Sequence, residues 1–419
     1  SLVCDKETGT IKVTVNNFNP GTIGNDQVIC ANTTAATLGS VTAASGDGAL
    51  TYLWYSSADG STWSSTGVNT ESYSPGVLAN DMWYYRSVTS TLNAMSCTED
   101  NLPVYIQVNN VDAGTITGGK TICEGGDGGT VSSNGDGSLD GAVAYQWYES
   151  IDGVAFTEIS GATADSYSPG ILTSDRWYRL RVSSTVGANV CHDETDAVRI
   201  TVINFVPGTI SSDQVICHNT VPATFIGTAP SGDGSFTYRW ESSADGVSYA
   251  SIAPEATGST YTSPALTADT WFRRVTISTL NGISCEHESN AVHVDVILFD
   301  QGSIGGDQDI CEGSVPSPIT SVADASGEGL LQYQWQVSTD GVTFSNITGA
   351  TNSEYQPGAL IQDAWYRRVV TSTVDSRTCT YITNTVKVTV NNILTIGGIT
   401  GSQTICAGDT PSGFVSMEG

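Results

Sequence analysis

The sequence predicts an all-β chain, a tandem array of Ig-like β-sandwich domains, and three observations carry that prediction. Cysteines recur in two series, Cys30, Cys123, Cys217, Cys311, Cys406 and Cys4, Cys97, Cys191, Cys285, Cys379, each stepping by 93 to 95 residues. Tyr52-Leu53-Trp54, Tyr145-Gln146-Trp147, Tyr238-Arg239-Trp240 and Tyr333-Gln334-Trp335 recur with them, each ahead of an Asp-Gly pair at Asp59, Asp152, Asp245 and Asp340. The intervening text alternates apolar and polar residues in short runs broken by Gly, Asp, Asn and Pro roughly every 8–12 residues, and no stretch sustains a helical period. A period near the size of one small domain marks an array rather than one large enzyme.

Within the first full unit the elements follow in order. Gln27–Cys30 and Thr37–Ala43 read as the first two strands, Ser45-Gly46-Asp47-Gly48 as a turn and Leu50–Ser56 as the central strand. Ala58-Asp59-Gly60 supplies the positive-φ position of a tight turn. Thr62–Ser65, Ser72–Tyr73, Trp83–Thr91 and Leu102–Val108 complete about seven strands, with the second cysteine in a loop between the last two. Repeating this scheme places units at residues 18–109, 110–203, 204–297 and 298–391. Residues 1–17 read as the final strands of a preceding unit and 392–419 as the opening of a fifth, so the chain is expected to be a segment of a longer protein.

The joints Val108–Ile116, Val202–Ile210 and Val296–Ile304 are too short and too apolar to act as flexible coils. With strands rising ~3.3 Å per residue, a unit should be roughly 35–40 Å long, and four collinear units would make a rod on the order of 150 Å.

Forty-three acidic residues against 15 basic ones give a formal net charge of −28, which excludes binding to nucleic-acid phosphates and disfavours an anionic membrane. No segment reads as inserting into a membrane. Ten cysteines in strict repeat, none in a C-x-x-C pair, argue for disulfides and an oxidising compartment. The disulfide candidates are Cys30, Cys97, Cys123, Cys191, Cys217, Cys285, Cys311 and Cys379. Pairing within units would join Cys30–Cys97, Cys123–Cys191, Cys217–Cys285 and Cys311–Cys379; pairing across boundaries would join Cys97 to Cys123 and so on. The first is preferred, because the final strand carries the chain ~23 Å from Cys97 before Cys123 is reached.

Trp54, Trp147, Trp240 and Trp335 on the central strand, and Trp83, Trp177, Trp271 and Trp365 further on, read as core aromatics, with sugar stacking as the alternative. Trp63, Phe156, Tyr249 and Phe344 after the Asp-Gly turn read the same way, with Trp63 kept as a candidate exposed aromatic. Leu78, Leu172, Leu266 and Leu360 precede Tyr84, Tyr178, Phe272 and Tyr366 at tyrosine-corner spacing, which Phe272 must keep by packing alone. Asp81, Asp175, Asp269 and Asp363 are expected to form local ion pairs with Arg86, Arg179, Arg273 and Arg367. Carboxylates near the cysteines, such as Glu99-Asp100, Asp193-Glu194 and Asp26, Asp213 and Asp307, raise calcium as a weak alternative to solvated acidic loops, and no other cofactor or metal is expected. Catalysis would need one unique constellation, and the histidines His192, His218, His287 and His293 occupy non-equivalent positions, so no enzymatic activity is expected.

Ile122-Cys123-Glu124-Gly125, Tyr333-Gln334-Trp335, Ser166-Tyr167-Ser168-Pro169-Gly170 and Trp365-Tyr366-Arg367-Arg368-Val369 together form a pattern that resembles the Ig-like or PKD-like repeats of very large Bacteroidota surface proteins. These include gliding-motility adhesins exported by type IX secretion. The resemblance implies a secreted, extracellular location on a bacterial cell surface and a stalk or adhesive segment, with cell adhesion, filament formation or gliding motility as its setting. It implies as partners a surface polysaccharide or substratum and the secretion and anchoring machinery of the cell. A glycan-binding module array and the spacer of a large secreted hydrolase are the alternatives.

Overall fold

The computed structural model describes residues 6, 9–135, 137, 139–392 and 397–416, and every regular element among them is a β-strand. Cys4 lies outside the described residues. The described part divides into two compact units, residues up to Asn204 with Leu280–Ile283, and Phe205–Thr279 with Ser284 onward. Each unit holds two consecutive repeats of the same β-sandwich.

One large sheet organises each repeat. Its first strand is Gln27–Cys30, Lys120–Cys123, Gln214–Cys217 or Gln308–Cys311. The central strand is Ala49–Ser57, Ala142–Ser150, Ser235–Ser243 or Leu330–Ser338. The long strand is Met82–Leu92, Arg176–Val186, Thr270–Leu280 or Ala364–Val374. The last strand is Val104–Asn109, Val198–Ile203, Val292–Ile297 or Val386–Asn391. In the sheet they run first, last, long, central, followed by a short strand after the Asp-Gly turn.

Two features depart from the sequence reading. The region of the second cysteine is a strand, not a loop: Met95–Asp100, Asn189–Glu194, Ile283–Glu288 and Arg377–Ile382 each fold back on the far half of the long strand. Tight turns with positive φ at Asn93 and Ala94, or at Asn281 and Gly282, allow this hairpin. Residues 9–17 contain no strand, and Ile11, Val13 and Val15 are exposed. Residues 397–416, by contrast, reproduce the opening of a repeat. Ile399–Thr400 pairs with Val415–Ser416, and Gln403 clasps the Ser412 backbone as Gln27 clasps Ala36, Gln214 clasps Ala223 and Gln308 clasps Ser317.

The inner face of the large sheet packs on a smaller sheet. In repeat 1 that sheet is Thr22–Ile23 against Ser40–Thr42, with Leu38 bridged to Tyr73. Along the long strand, Tyr84, Arg86, Val88 and Ser90 point inward and their neighbours outward, the period of two that a half-buried strand requires. Trp54, Trp147, Trp240 and Trp335 are fully buried at the centre of the four cores. Each indole N–H donates to a backbone carbonyl, of Thr70, Ala164, Gly258 or Asn352, at 2.9–3.0 Å, so the ring is buried without stranding its polar atom. The rings of Tyr84, Tyr178, Phe272 and Tyr366 pack against Tyr73, Tyr167, Tyr261 and Tyr355, which is why Phe272 serves without a hydroxyl.

Candidate functional site

Within each unit the two repeats meet at a joint of the same construction. The first strand runs parallel to the last, with Cys30 opposite Asn109, Cys217 opposite Ile297 and Cys311 opposite Asn391. A first-series cysteine therefore sits at the end of its repeat where the chain leaves. The hairpin strand of the following repeat points back to the same place. Cys30 is bonded to Cys191, and Cys217 to Cys379, with Cα atoms 5.5 Å apart in both. Cys123 and Cys285 are also disulfide-bonded.

This corrects the expected pairing. Neither Cys30–Cys97 nor Cys217–Cys285 forms, nor does a bond between Cys97 and Cys123, and Cys97, Cys311 and Cys406 are free thiols. The premise that the last strand carries the chain away from Cys97 holds. What the sequence did not reveal is that the first strand travels with it, so Cys30 ends far from the Cys97 of its own repeat and close to Cys191 of the next. Each bond closes a separation of 161 or 162 residues. By the loop-entropy model such a closure contributes on the order of 5 kcal/mol.

Polar contacts complete the joint in the first unit. Asn109 is fully buried; its side-chain amide donates to the Ser184 carbonyl at 2.9 Å and its Oδ1 accepts from the Ser184 hydroxyl at 2.7 Å. The Asn110 amide donates to Asp140 at 2.7 Å. In the second unit Ile297 fills the place of Asn109, also fully buried. Beside the Cys217–Cys379 bond, His218, Phe299, Asp300 and Tyr381 border an open groove of about 620 Å³, where the Tyr381 ring lies tilted at 4.8 Å from Phe299 and its hydroxyl donates to the His218 carbonyl at 3.3 Å.

The outer face of the large sheet carries the second tryptophan series. Trp83, Trp177, Trp271 and Trp365 were expected in the core, but the strand alternation turns them outward and leaves them half-buried. Each lies between the glycine of the Asp-Gly turn and one side chain of the last strand. A Cβ on Gly153, Gly246 or Gly341 would come within 3.0–3.2 Å of the indole, and those glycines have φ of +71° to +74°. The other side of the ring is covered by Tyr105, Arg199, His293 or Lys387, at 4.1–5.0 Å. Asp81, Asp175 and Asp363 bind Tyr105, Arg199 and Lys387, Asp269 lies 3.7 Å from His293, and all four accept the amide of Val108, Val202, Val296 or Val390 at 2.7–2.9 Å.

The expected Asp–Arg ion pairs are therefore replaced. Strand register shows why: Arg86 lies opposite Trp54, whereas Arg179, Arg273 and Arg367 lie opposite Tyr148, Glu241 and Gln336, so these four arginines are not equivalent. Arg179, Arg273 and Arg367 cover Phe156, Tyr249 and Phe344 at 4.0–4.4 Å on the outer face. Repeat 1 has Tyr85 at this position, and Trp63, half-buried, packs edge-on against it at 4.6 Å while Tyr55 stacks on it at 4.8 Å. The equivalents of Arg86 are Arg274 and Arg368. All three are buried with backbone carbonyls as partners, Arg86 and Arg368 adding the Ser40 and Ser321 hydroxyls, and burial lowers their pKa.

The acidic residues have structural employment. Asp26, Asp213 and Asp307 accept the amides of Tyr105, His293 and Lys387 at 2.7–2.8 Å, fixing the start of the parallel pairing. Glu194 binds Arg179 and Arg181, and Glu286 binds Arg239. In the turns, Asp245 is drawn down to about 2, first by the Ser248 and Val247 amides and then by the Ser243 hydroxyl. Asp59 and Asp152 are lowered chiefly by two backbone amides each, and Asp340 first by the Ser338 hydroxyl. Among the described residues no cluster of His, Cys, Asp and Glu is arranged to hold a metal ion, and no helix is long and apolar enough to cross a membrane.

A family model described as "Domain of unknown function (DUF8696)" matches the chain four times, at residues 19–110, 112–204, 206–297 and 300–392. No curated protein matches by sequence. Solved structures similar to the chain are arrays of Ig-type domains. Three N-terminal domains of the highly immunogenic outer capsid protein of bacteriophage RB49 align at 12% identity and a TM-score of 0.32, over 68% of this chain and all of that one. The insect immune protein hemolin aligns at 11% identity and 0.27, over 89% of this chain and all of hemolin, and Sidekick-1 domains 1–4 at 12% and 0.24, over 90% and 99%. Scores this low carry no functional argument, and the Ig-like fold stands on the strand pairing above.

Proposed function

The chain belongs to the DUF8696 family through each of its four repeats, and we propose that it works as an extracellular structural and adhesive segment, the stapled stalk of a large bacterial surface adhesin. The observation that carries this reading is the disulfide placed across a joint instead of inside a domain. A bond within one domain protects that domain; a bond between neighbours also resists bending and separation where a stalk under tension would yield. The cysteine usage fits an oxidising, extracellular setting. Strong like charge favours solubility and discourages lateral collapse, with screening beyond ~8–10 Å at physiological salt. In this reading the segment catalyses no reaction, and its parent is a type IX secretion substrate of the gliding-motility kind, exported and anchored by the cell's own machinery and attached to a substratum or surface polysaccharide.

Single-molecule stretching tests the stalk. Each bridge should hide roughly 550 Å of contour length, at ~3.3–3.6 Å per residue, which reductant releases. Equal extension before and after reduction rejects the stapled stalk. Beads coated with the chain should adhere to polysaccharide-coated glass, and failure to do so rejects the adhesive role while leaving the stalk standing. One observation favours a narrower glycan-binding reading for repeat 1: Tyr55, Trp63 and Tyr85 form an aromatic surface where the other repeats place an arginine over an aromatic ring. Trp63→Ala should weaken bead attachment if that surface stacks sugars, and unchanged attachment rejects it.

A further inference from the structure

Cys97 occupies, in repeat 1, the hairpin position that Cys191 and Cys379 occupy in repeats 2 and 4, where each is bonded to the first-strand cysteine of the preceding repeat. Cys311 occupies in repeat 4 the position of Cys30 and Cys217, each bonded to the hairpin of the following repeat. Both thiols are free. A second observation shows that the face of repeat 1 bearing Cys97 is a joint of the same construction. Asn16 donates to the Ser90 carbonyl at 2.8 Å and accepts from the Ser90 hydroxyl at 2.9 Å, the two bonds that Asn109 makes with Ser184. The Asn17 amide meets Asp47 as the Asn110 amide meets Asp140. Residues 16 and 17 thus already occupy the position in which the end of a last strand docks. In the other joint of this unit, the residue in register with that strand end, opposite Asn109, is the bonded cysteine Cys30.

We propose that Cys97 and Cys311 are covalent docking points for further repeats of the same family, Cys97 receiving a first-strand cysteine from a repeat on its N-terminal side and Cys311 a hairpin cysteine from a repeat on its C-terminal side. Every repeat then carries one cysteine for each neighbour, and the array extends as a covalently stapled chain. Forming each bond joins two Sγ atoms and releases two protons and two electrons. Oxidised glutathione accepts them and departs as two molecules of the thiol. The proposal concerns how repeats connect and does not rest on adhesion.

Two arms test it and separate a flanking repeat of one polypeptide from a second copy of the chain. In the first, residues 1–16 are replaced by a copy of residues 18–109 running into Asn17. After oxidation with glutathione, non-reducing peptide mapping should recover Cys97 joined to the copy's counterpart of Cys30, and Cys97 should cease to react with iodoacetamide. In the second, Cys97→Ser and Cys311→Ser are made separately in a background of Cys4→Ser and Cys406→Ser and oxidised alone or mixed. Only the mixture should give a disulfide dimer, joined Cys311 to Cys97. Intact Cys30–Cys191 and Cys217–Cys379 bonds in every variant confirm folding. Success in the first arm alone assigns the role to a flanking repeat, success in the second admits another copy, and failure in both overturns the proposal.

Discussion

Repeat 2 and its three siblings solve one packing problem in two ways. In repeats 1, 3 and 4 the long strand buries an arginine beside the central tryptophan, and in repeat 2 the same position holds Leu180. The guanidinium of Arg86 donates to the carbonyls of Glu71 and Pro20, that of Arg274 to Ser259, Thr228 and Pro207, and that of Arg368 to Ser353 and Gln301. It lies between two strands of the small sheet and satisfies their backbone from the side. Repeat 2 has no such wedge, so the strands meet directly. Ile116–Thr117, Val131–Ser133 and Ser166–Tyr167 form a three-stranded sheet, and the Asp165 carbonyl, equivalent to that of Glu71, accepts the Ser133 amide at 2.9 Å. Even Gly227 of repeat 3 fits the wedge, since a Cβ there would lie 2.5 Å from Arg274. A buried cation without a carboxylate is thus interchangeable with a leucine, provided the backbone pairing adjusts.

The most severe way to break this equivalence is Leu180→Arg. The strands it would have to separate are already bonded to one another, so the buried charge finds no acceptors, and repeat 2 should lose about 4 kcal/mol or more. Calorimetry should show one transition shifted or lost while the others stay. Arg274→Ala should cost repeat 3 about 3 kcal/mol, through a cavity and orphaned carbonyls, whereas Arg274→Leu should cost about 1 kcal/mol as the small sheet closes in the manner of repeat 2. Equal losses for the two substitutions would show that the guanidinium bonds themselves, not the filled volume, hold the site.

Acid should act on what all four repeats share. The turn aspartates have folded pKa values below the ordinary 3.8, with Asp245 at about 2, so their contribution is complete above about pH 4 and fades as pH falls toward 2. Repeat 2 should respond like its siblings, and Asp245→Asn should reduce the acid sensitivity of repeat 3 in a pH series of unfolding midpoints, leaving the part that Glu286, lowered by its bond from Arg239, contributes. The smallest contrast lies within repeat 2. Gly161 and Gly153 both have positive φ, but only Gly153 faces an indole at 3.0 Å, so Gly153→Ala should cost about 2 kcal/mol and Gly161→Ala about 1.

The central tryptophans, the Asp-Gly turns and the four-fold count were legible because a spacing that recurs in every repeat exposes the positions that the fold holds fixed. The hairpin strand was not, since its two-residue turn reads Asn93-Ala94 or Asp375-Ser376 in two repeats, and Gly187-Ala188 and Asn281-Gly282 carry the usual glycine signal in the other two. The outward tryptophans were misplaced for a related reason. A strand turns over every other residue, so the face of Trp83 follows from the register of the long strand against Ser57 and Tyr105 and not from its hydrophobicity.

By itself, then, the sequence determined that this protein is a tandem set of β-sandwich repeats and that its cysteines recur with them, because local alternation and periodic repetition are properties of the chain. The partners of those cysteines were decided by tertiary structure alone. Whether Cys30 meets Cys97 or Cys191 turns on the parallel pairing of the first and last strands, which sends Cys30 to the exit of its repeat, and on a hairpin of the next repeat that reaches back to meet it. Strand direction and inter-repeat docking are long-range relations, and no spacing along the chain encodes them.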